Sequence, residues 1–361
     1  MTEEGRISVP GGEVWYRRTG GGESGGESNG ASSGGSSGES GGEGSGGSSG
    51  ESGGEGSSGA SSGDIGGEGS SGGAPLLLVH GGPGYPSDLL FDAFAPLAEE
   101  REVIWYDQLG VGRSDPVDDV SLLTVDRFLD ELGAVCETLG LERPHVYGHS
   151  WGAMLGLQYA AERAPEWTSL ICANGLASVP RFEWEVRGLM AELPGDVLDR
   201  TYGRELRGET DDPDYWAAQA EYMRACVLRT SSVSLDPELM SLTTFRTMIG
   251  HADYHVSGTL KDWDIFDELE RIQVPTLVLG GEFDECVPAH LADIAARIPD
   301  SEHVTQPGAA HMGYLEEEPL RGAYVSLIQD YMARVEARAR LSRPVPATQV
   351  TPGATPVTGP R

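Results

Sequence analysis

The sequence predicts an α/β protein with a mainly parallel sheet, helices on both faces of that sheet and one inserted helical segment. Three observations predict this class. Short segments of apolar residues alternate with segments of helical periodicity, as in βαβ units. The apolar segments are short and almost continuously hydrophobic, which is typical of strands buried on both faces. One long stretch, rich in helix formers, breaks the alternation between two predicted strands.

The strands begin with a hairpin within residues 6–18, where apolar and polar side chains alternate. Six apolar strands follow it, at 75–79, 102–106, 145–148, 168–173, 274–280 and 302–305. Apolar residues recur every three or four positions over 125–139, which predicts an amphipathic helix. A second helix is predicted to begin at Trp151.

The break in the alternation defines the expected domain organisation. Residues 178–262 are rich in Trp, Glu and Arg and have no clear strand run before about Tyr254, so we expect them to form a helical cap. The core is then built from residues 1–177 and 263–340. Together these two parts are long enough for one large hydrophobic core.

Two segments have too few apolar residues to fold. Residues 20–73 contain 25 glycines, eight acids and no basic residue, and most of the remainder is Ser. Residues 341–361 are rich in Pro and Thr. We expect a disordered insertion and a disordered tail, because neither segment buries enough surface to offset its chain entropy.

The charge balance argues against several classes of function. The chain has 57 acidic and 25 basic residues, a net charge of −32 and a single lysine, Lys261. Such an acidic surface cannot neutralise the phosphates of a nucleic acid, which disfavours nucleic-acid binding. An anionic membrane surface would repel the protein.

The same composition suits a high-salt environment, because the Debye length falls to about 3 Å in molar salt and repulsion between carboxylates is screened. We expect a high-salt cytoplasm; an acidic protein of a low-salt organism with an acidic linker is the alternative.

Targeting signals and disulfides are not expected. The sequence contains no apolar run long enough to span a bilayer, and its first residues lack the basic and apolar regions of a signal peptide. The four cysteines form no CxxC pair and are interpreted as reduced thiols of a cytoplasmic protein: Cys136, Cys172, Cys226 and Cys286.

The clearest chemical signal is the motif GHSWG at 148–152. It follows a predicted strand and opens the helix that begins at Trp151, which is the strand–turn–helix setting of a nucleophile elbow. The flanking glycines allow a sharp turn and a close approach of neighbouring backbone. We therefore predict that Ser150 is a catalytic nucleophile at the carboxyl edge of the sheet. A turn serine without function is the alternative.

A glycine loop, HGGPG at 80–84, directly follows the strand at 75–79. Acyl transfer needs N–H donors where negative charge develops on the reacting oxygen. The candidates are the amides of Gly82 and of Trp151, the residue after the nucleophile; a simple tight turn is the alternative. The sequence has no HExxH motif, no zinc-type spacing and no complete dinucleotide fingerprint, so neither a metal nor another cofactor is expected.

A serine nucleophile of this type is followed in the chain by an acid and then by a histidine. The loop after strand 274–280 contains Glu282, Asp284 and Glu285, and His311 lies in the loop after the last strand. We predict that His311 is the general base and that Asp284 orients it, with Glu282 as the alternative acid. The remaining histidines lack this position after the last strand.

Five features together resemble the proline iminopeptidase family of α/β-hydrolases, and most closely its archaeal members that interact with the tricorn protease. They are HGGPG (80–84), YDQLGVGRS (106–114), GHSWG (148–152), GEFD (281–284) and the histidine at 311. The segments NGLASVP (174–180) and GTLKDW (258–263) are similar to the entrance and the exit of that family's cap. The resemblance covers roughly residues 75–335 and the leading hairpin.

The resemblance implies an α/β-hydrolase fold with a helical cap. It also implies a serine aminopeptidase without a cofactor, which removes N-terminal residues, often proline, from short peptides through an acyl-enzyme. In this family an acid just after the triad aspartate and a second acid before the cap's exit bind the substrate ammonium. These positions match Glu285 and Asp253, where Asp is one methylene shorter than the usual Glu. A larger upstream protease would supply the peptides.

Two rival functions are compatible with these residues. The same triad could hydrolyse amino-acid amides or esters, because it is indifferent to the leaving group. A non-catalytic interaction module, with the acidic insertion at 20–73 as its working part, is the rival from another class. An epoxide hydrolase or dehalogenase is disfavoured because those enzymes have an aspartate where Ser150 stands.

Overall fold

The computed structural model describes residues 1–20, 72–230 and 237–342. The predicted disordered insertion at 20–73 and the predicted tail at 341–361 lie outside the described residues, apart from a few positions at their edges. Within the described ranges, no helix is both long and apolar enough to cross a lipid bilayer. All four cysteines are described, and each is a free thiol.

The strands of the described chain form one sheet. They are β1 (Thr2–Val9), β2 (Gly12–Thr19), β3 (Gly73–Val79), β4 (Arg101–Tyr106), β5 (His145–His149), β6 (Ser169–Ala173), β7 (Thr276–Gly281) and β8 (Ser301–Gln306). Their spatial order is β1-β2-β4-β3-β5-β6-β7-β8. The pairs β1–β2 and β2–β4 are antiparallel, and every pair from β4 to β8 is parallel. The predicted hairpin and all six predicted apolar strands are confirmed.

Helices cover both faces of this sheet. They are α1 (Phe91–Phe94), α2 (Val125–Thr138), α3 (Trp151–Arg163), α4 (Val179–Glu192), α5 (Arg204–Arg207), α6 (Pro213–Tyr222), α7 (Leu242–Met248), α8 (Pro288–Arg297) and α9 (Leu320–Leu341). Every residue of β5, β6 and β7 is buried. Because successive strand residues point to opposite faces, such burial requires cover on both sides.

The two helices that the sequence predicts begin where their first residues favour it. The hydroxyl of Thr124 accepts a hydrogen bond from the Arg127 amide and caps α2. Helix α3 packs on β5 and β6 and is buried along most of its length. Its Gly156 permits this contact, because a Cβ there would lie 2.8 Å from Cδ1 of Leu170 in β6. The small residues of α3 therefore bring the helix close to the sheet.

The segment between β6 and β7 is helical. Helices α4 to α7 lie in it, and its described part contains no strand, only the isolated bridges Ser178–Asp264 and Ala252–His255. The sequence allowed a strand to begin near Tyr254, and the described structure has none there. The boundaries of the cap at 178 and 262 stay a prediction.

The parallel strands determine where the candidate site lies. The carboxyl ends of β3, β5 and β7 meet at one edge of the sheet. The loop after β3 contains the glycine motif at 80–84, the turn after β5 contains Ser150, and the loop after β7 contains Asp284. Residues far apart in the chain are thus delivered to the same edge.

Candidate active site

Ser150 occupies a strained turn between β5 and α3. Its backbone has φ 52° and ψ −116°, and its amide donates a hydrogen bond of 2.9 Å to the carbonyl of Ala173. A Cβ at Gly148 would overlap the carbonyl of Gly152, and a Cβ at Gly152 would overlap that of Val79. Both glycines of the motif are therefore required by close backbone approach, as the sequence predicts.

One cavity gathers most of the predicted site residues. It has a volume of about 360 Å³, and its lining includes Gly82, Ser150, Asp253, Glu285 and His311. The other two predicted residues, the triad acid and the residue after the nucleophile, are buried directly behind this lining. Side chains of α6 and α7 also line the cavity, so the segment between β6 and β7 encloses the space in front of the serine.

Asp284 and His311 form the pair that the sequence predicts. Nδ1 of His311 donates to Oδ1 of Asp284 over 2.8 Å, and both side chains are buried. The aspartate also accepts from the Cys286 amide at 2.9 Å and from the Asn174 amide group at 2.7 Å. With Nδ1 as the donor, the other ring nitrogen of His311 is directed toward the cavity as a possible proton acceptor.

Glu282, the alternative acid, does not contact His311. Its side chain is exposed, and its Oε2 accepts from the amide of Gly308 at 2.9 Å. The hydrogen bonding therefore favours Asp284 over Glu282 as the partner of the imidazole.

A buried chain of hydrogen bonds supports Asp284 from behind. Oδ1 of Asn174 accepts from the Tyr324 hydroxyl at 3.0 Å, and that hydroxyl lies 2.9 Å from the hydroxyl of Tyr147. Asn174 directly follows β6 and has φ 54°, a conformation that Asn tolerates better than most residues. No motif in the sequence marks Asn174 as a site residue, and its place directly after a core strand was the available signal.

The second imidazole nitrogen of His311 lies near a buried carboxylate. Nε2 of His311 lies 3.4 Å from Oε1 of Glu285, and the hydroxyl of Tyr222 donates to the other carboxylate oxygen. Burial and the nearby charge of Asp253 raise the pKa of Glu285 to about 8. Burial alone disfavours the imidazolium, but the carboxylates of Glu285 and Asp284 outweigh it and raise the pKa of His311 to about 9. Tyr222 is a further site residue that sequence reasoning missed.

Asp253 lies in the same cavity. It is half-buried, and its Oδ1 accepts from the Tyr254 amide at 2.9 Å. Burial raises its pKa above that of an exposed aspartate. The structure thus places both predicted ammonium ligands, Asp253 and Glu285, in the wall of the cavity that contains Ser150.

The two predicted N–H donors are free to bind a ligand. Within the described chain, neither the amide of Gly82 nor that of Trp151 has a hydrogen-bond acceptor. Gly82 has φ 120°, and a Cβ there would lie 2.5 Å from the amide nitrogen of Gly84, so glycine is required. Such free donors beside a nucleophile can stabilise a developing oxyanion.

Gln108 joins the glycine loop to the serine turn. Its amide donates to Nε2 of His80 at 2.9 Å, and its side-chain amide donates to the His80 carbonyl at 3.1 Å. Its side-chain oxygen accepts from the Trp151 indole at 2.8 Å. In the sequence this residue is only one member of the YDQLGVGRS motif, whereas its contacts tie together both halves of the donor site.

One group of side chains has the spacing of a metal site. Ligand atoms of Asp284, Cys286 and His311 lie within 4.8 Å of one another. However, burial raises the pKa of Cys286 well above that of an exposed thiol, whereas metals bind the thiolate. The hydrogen bond between the aspartate and the histidine explains their proximity without an ion.

Comparisons with known proteins agree with this geometry. A family model described as the alpha/beta hydrolase fold matches residues 74–318. The proline iminopeptidase of Heyndrickxia coagulans is 32% identical over 268 residues, which cover 72% of this chain and 91% of that protein. This chain belongs to the proline iminopeptidase family of α/β-hydrolases. The family and the fold predicted from the sequence are therefore confirmed.

The similarity extends to an archaeal member of the proline iminopeptidase family and to a solved structure. The proline iminopeptidase of Saccharolobus solfataricus is 32% identical over 273 residues, covering 72% of this chain and 85% of that protein. The crystal structure of the proline iminopeptidase of Mycobacterium smegmatis superposes with a TM-score of 0.72 at 27% identity. That match covers 93% of this chain and 100% of the other.

Replacing Asp284 tests the hydrogen-bonded pair. We expect Asp284→Asn to lower the kcat for prolyl-p-nitroanilide by about 10⁴-fold, because the amide stabilises the wrong imidazole tautomer. Glu282→Gln, a matched change in the same loop, should keep kcat close to that of the wild type. Circular dichroism should show folded protein in both variants. A loss of less than about tenfold in folded Asp284→Asn would remove Asp284 from the catalytic group.

Proposed function

We propose that this protein is a serine aminopeptidase that releases N-terminal residues, proline among them, from short peptides. The observation that carries the proposal is the cavity in which Ser150 and His311 stand beside two carboxylates, Glu285 and Asp253. A nucleophile with its base accounts for hydrolysis, and the carboxylates account for recognition of a free amine. The family relationship supports the same activity.

The reaction follows from the positions of these groups. His311 removes the proton from Ser150 Oγ as the oxygen attacks the carbonyl carbon of the first peptide bond. The amides of Gly82 and Trp151 bind the oxyanion that forms. Asp284 keeps the imidazole in the required tautomer and stabilises the imidazolium. His311 then donates its proton to the leaving amine, and the acyl group remains on Ser150.

The second half of the reaction uses the same groups. Water replaces the departed amine, and His311 removes a proton from it as it attacks the acyl carbon. The bond to Ser150 Oγ breaks, the serine regains its proton from His311, and the free amino acid leaves. The chemistry needs no group beyond the side chains and amides already described.

Recognition of the amine depends on Glu285 and Asp253. An ammonium group donates up to three hydrogen bonds, and charge-assisted bonds to buried carboxylates are stronger than bonds between neutral groups. Tyr222 fixes one oxygen of Glu285, which leaves the other for the ligand. The remaining lining includes Tyr85, Phe245 and Tyr314, whose apolar faces suit a pyrrolidine ring.

Free and blocked substrates test this function. We expect cleavage of Pro-, Ala- and Phe-p-nitroanilide but not of their N-acetylated forms, and no cleavage by Ser150→Ala. Glu285→Gln should raise KM for the free amines, because it removes a carboxylate that binds the ammonium group. Equal cleavage of free and acetylated substrates would favour the rival amidase or esterase. A Ser150→Ala protein with full activity would contradict the serine mechanism.

The supply of substrate is part of the proposal. A cavity of about 360 Å³ accommodates the end of a peptide, and we propose that an upstream protease supplies short peptides. Hydrolysis is then measured for peptides that begin with proline and range from dipeptides to dodecapeptides. A kcat/KM that falls steeply with peptide length supports this dependence, and a kcat/KM independent of length contradicts it.

Deletion of residues 20–73 tests the rival function as an interaction module. Full peptidase activity after this deletion would count against that rival.

The acidic composition supports a cytoplasm of high salt as the working environment. With a net charge of −32, repulsion between carboxylates destabilises the folded chain at low ionic strength. We expect the unfolding midpoint and the activity to rise from low to molar KCl. Thermal unfolding gives the midpoint and prolyl-p-nitroanilide hydrolysis gives the activity, each measured across a KCl series. A salt-independent midpoint would contradict the high-salt proposal.

A further inference from the structure

The imidazole of His311 lies beside a buried acid. Its Nε2 is 3.4 Å from Oε1 of Glu285, an ion-pair distance, and both side chains are buried. Among the described hydrogen bonds, none joins Nε2 of His311 to Ser150 or to Glu285. The backbone of His311 is held in this position, because Nε2 of His149 donates to its carbonyl at 2.9 Å. The group that should activate Ser150 is therefore paired with a buried carboxylate in the free enzyme.

We propose that Glu285 holds the general base inactive in the free enzyme and that the ammonium group of the substrate releases it. The proposal rests on the proposed aminopeptidase function and adds a step to it. Glu285 then selects substrates twice: it binds the amine, and it makes His311 available only when an amine is bound.

Counting protons explains the inactive state. A proton on Nε2 makes the imidazole a cation, which pairs with the carboxylate of Glu285 at 3.4 Å. A protonated Nε2 has no lone pair with which to accept the proton of Ser150.

The charges around His311 favour retention of this proton. Three carboxylates act on the imidazole: Asp284, Glu285 and Asp253. Of the other titratable groups, burial lowers the pKa of His149 well below its usual value and raises those of Cys226, Tyr222 and Tyr314. The guanidinium of Arg246 also lines the cavity. The carboxylates together raise the pKa of His311 to about 9 against the cost of burial. They therefore favour a proton on the imidazole until another cation binds beside them.

An ammonium ion supplies the missing charge. When it binds between Glu285 and Asp253, it hydrogen-bonds to the carboxylate that otherwise faces Nε2. Its positive charge also disfavours a proton on the adjacent imidazole and on Glu285. The proton on Nε2 leaves to solvent, and Nε2 becomes free to accept from Ser150. An acetylated substrate has no such charge and leaves the base occupied.

A reagent without an amine separates this release from simple amine binding. A small uncharged phosphonofluoridate reacts with Ser150: the O–P bond forms, the P–F bond breaks, fluoride leaves and the serine proton passes to His311. We expect labelling of the wild type to rise with pH well above pH 7. In Glu285→Gln the apparent pKa of labelling should fall toward that of an ordinary histidine, and the rate at pH 7 should rise about tenfold or more.

Two controls separate failure of the proposed release from failure of the proposed function. Glu282→Gln should label like the wild type, and methylammonium chloride should accelerate labelling of the wild type, but not of Glu285→Gln, relative to equal KCl. Equal rates and pH profiles in the wild type and Glu285→Gln would overturn the release while leaving the serine mechanism intact. An absence of labelling that depends on Ser150 would contradict the proposed function, and the release with it.

Discussion

The backbone strain at Ser150 is the constraint on which the rest of the site depends. A serine at φ 52° costs about 1–3 kcal/mol and persists only where its surroundings enforce it. Here the amide of Ser150 is bonded to β6, and its carbonyl accepts from the amides of Ala153 and Met154 in α3. The close backbone contacts at Gly148 and Gly152 leave the chain no room to relax. The parallel sheet thus holds the serine at its carboxyl edge, next to the loops after β3 and β7.

The proposed selectivity of this site has an electrostatic basis. Buried carboxylates are costly unless hydrogen bonds or cations satisfy them. Asp284 is satisfied by three donors, whereas Glu285 has the hydroxyl of Tyr222 and a long contact to His311. We propose that a ligand cation completes the arrangement. In this proposal the same carboxylate favours peptides with a free amine and links their binding to the chemistry at Ser150.

Much of this site could be predicted from the sequence because its signals are local. The motif around Ser150 follows from strand–turn–helix geometry, and the order of serine, acid and histidine identified Asp284 and His311. The residues that sequence reasoning missed depend on contacts between distant segments. Tyr222 reaches Glu285 from α6, and Asn174 reaches Asp284 from the end of β6. Neither contact leaves a periodic or motif signal, so only the folded chain identifies them.

The contrast between Glu285 and Glu282 shows the same limit. Both acids lie in one loop, three residues apart, and composition does not distinguish them. Burial distinguishes them, because Glu285 is enclosed in the cavity wall, whereas Glu282 is exposed and accepts a hydrogen bond from the amide of Gly308. The sequence could assign Glu285 to the amine only through its family resemblance, whereas its burial in the cavity wall is visible only in the fold.

Trapping the acyl-enzyme is the most direct test of the central claim that Ser150 attacks a substrate anchored by its amine. An activated prolyl ester makes acylation faster than deacylation, so the intermediate accumulates during turnover. Acid quenching followed by peptide mass spectrometry then locates the acyl group. We predict a prolyl adduct on the peptide that contains Ser150, formed from the free ester and not from its N-acetylated form. Turnover without an adduct on Ser150, or equal adducts from both esters, would contradict the claim.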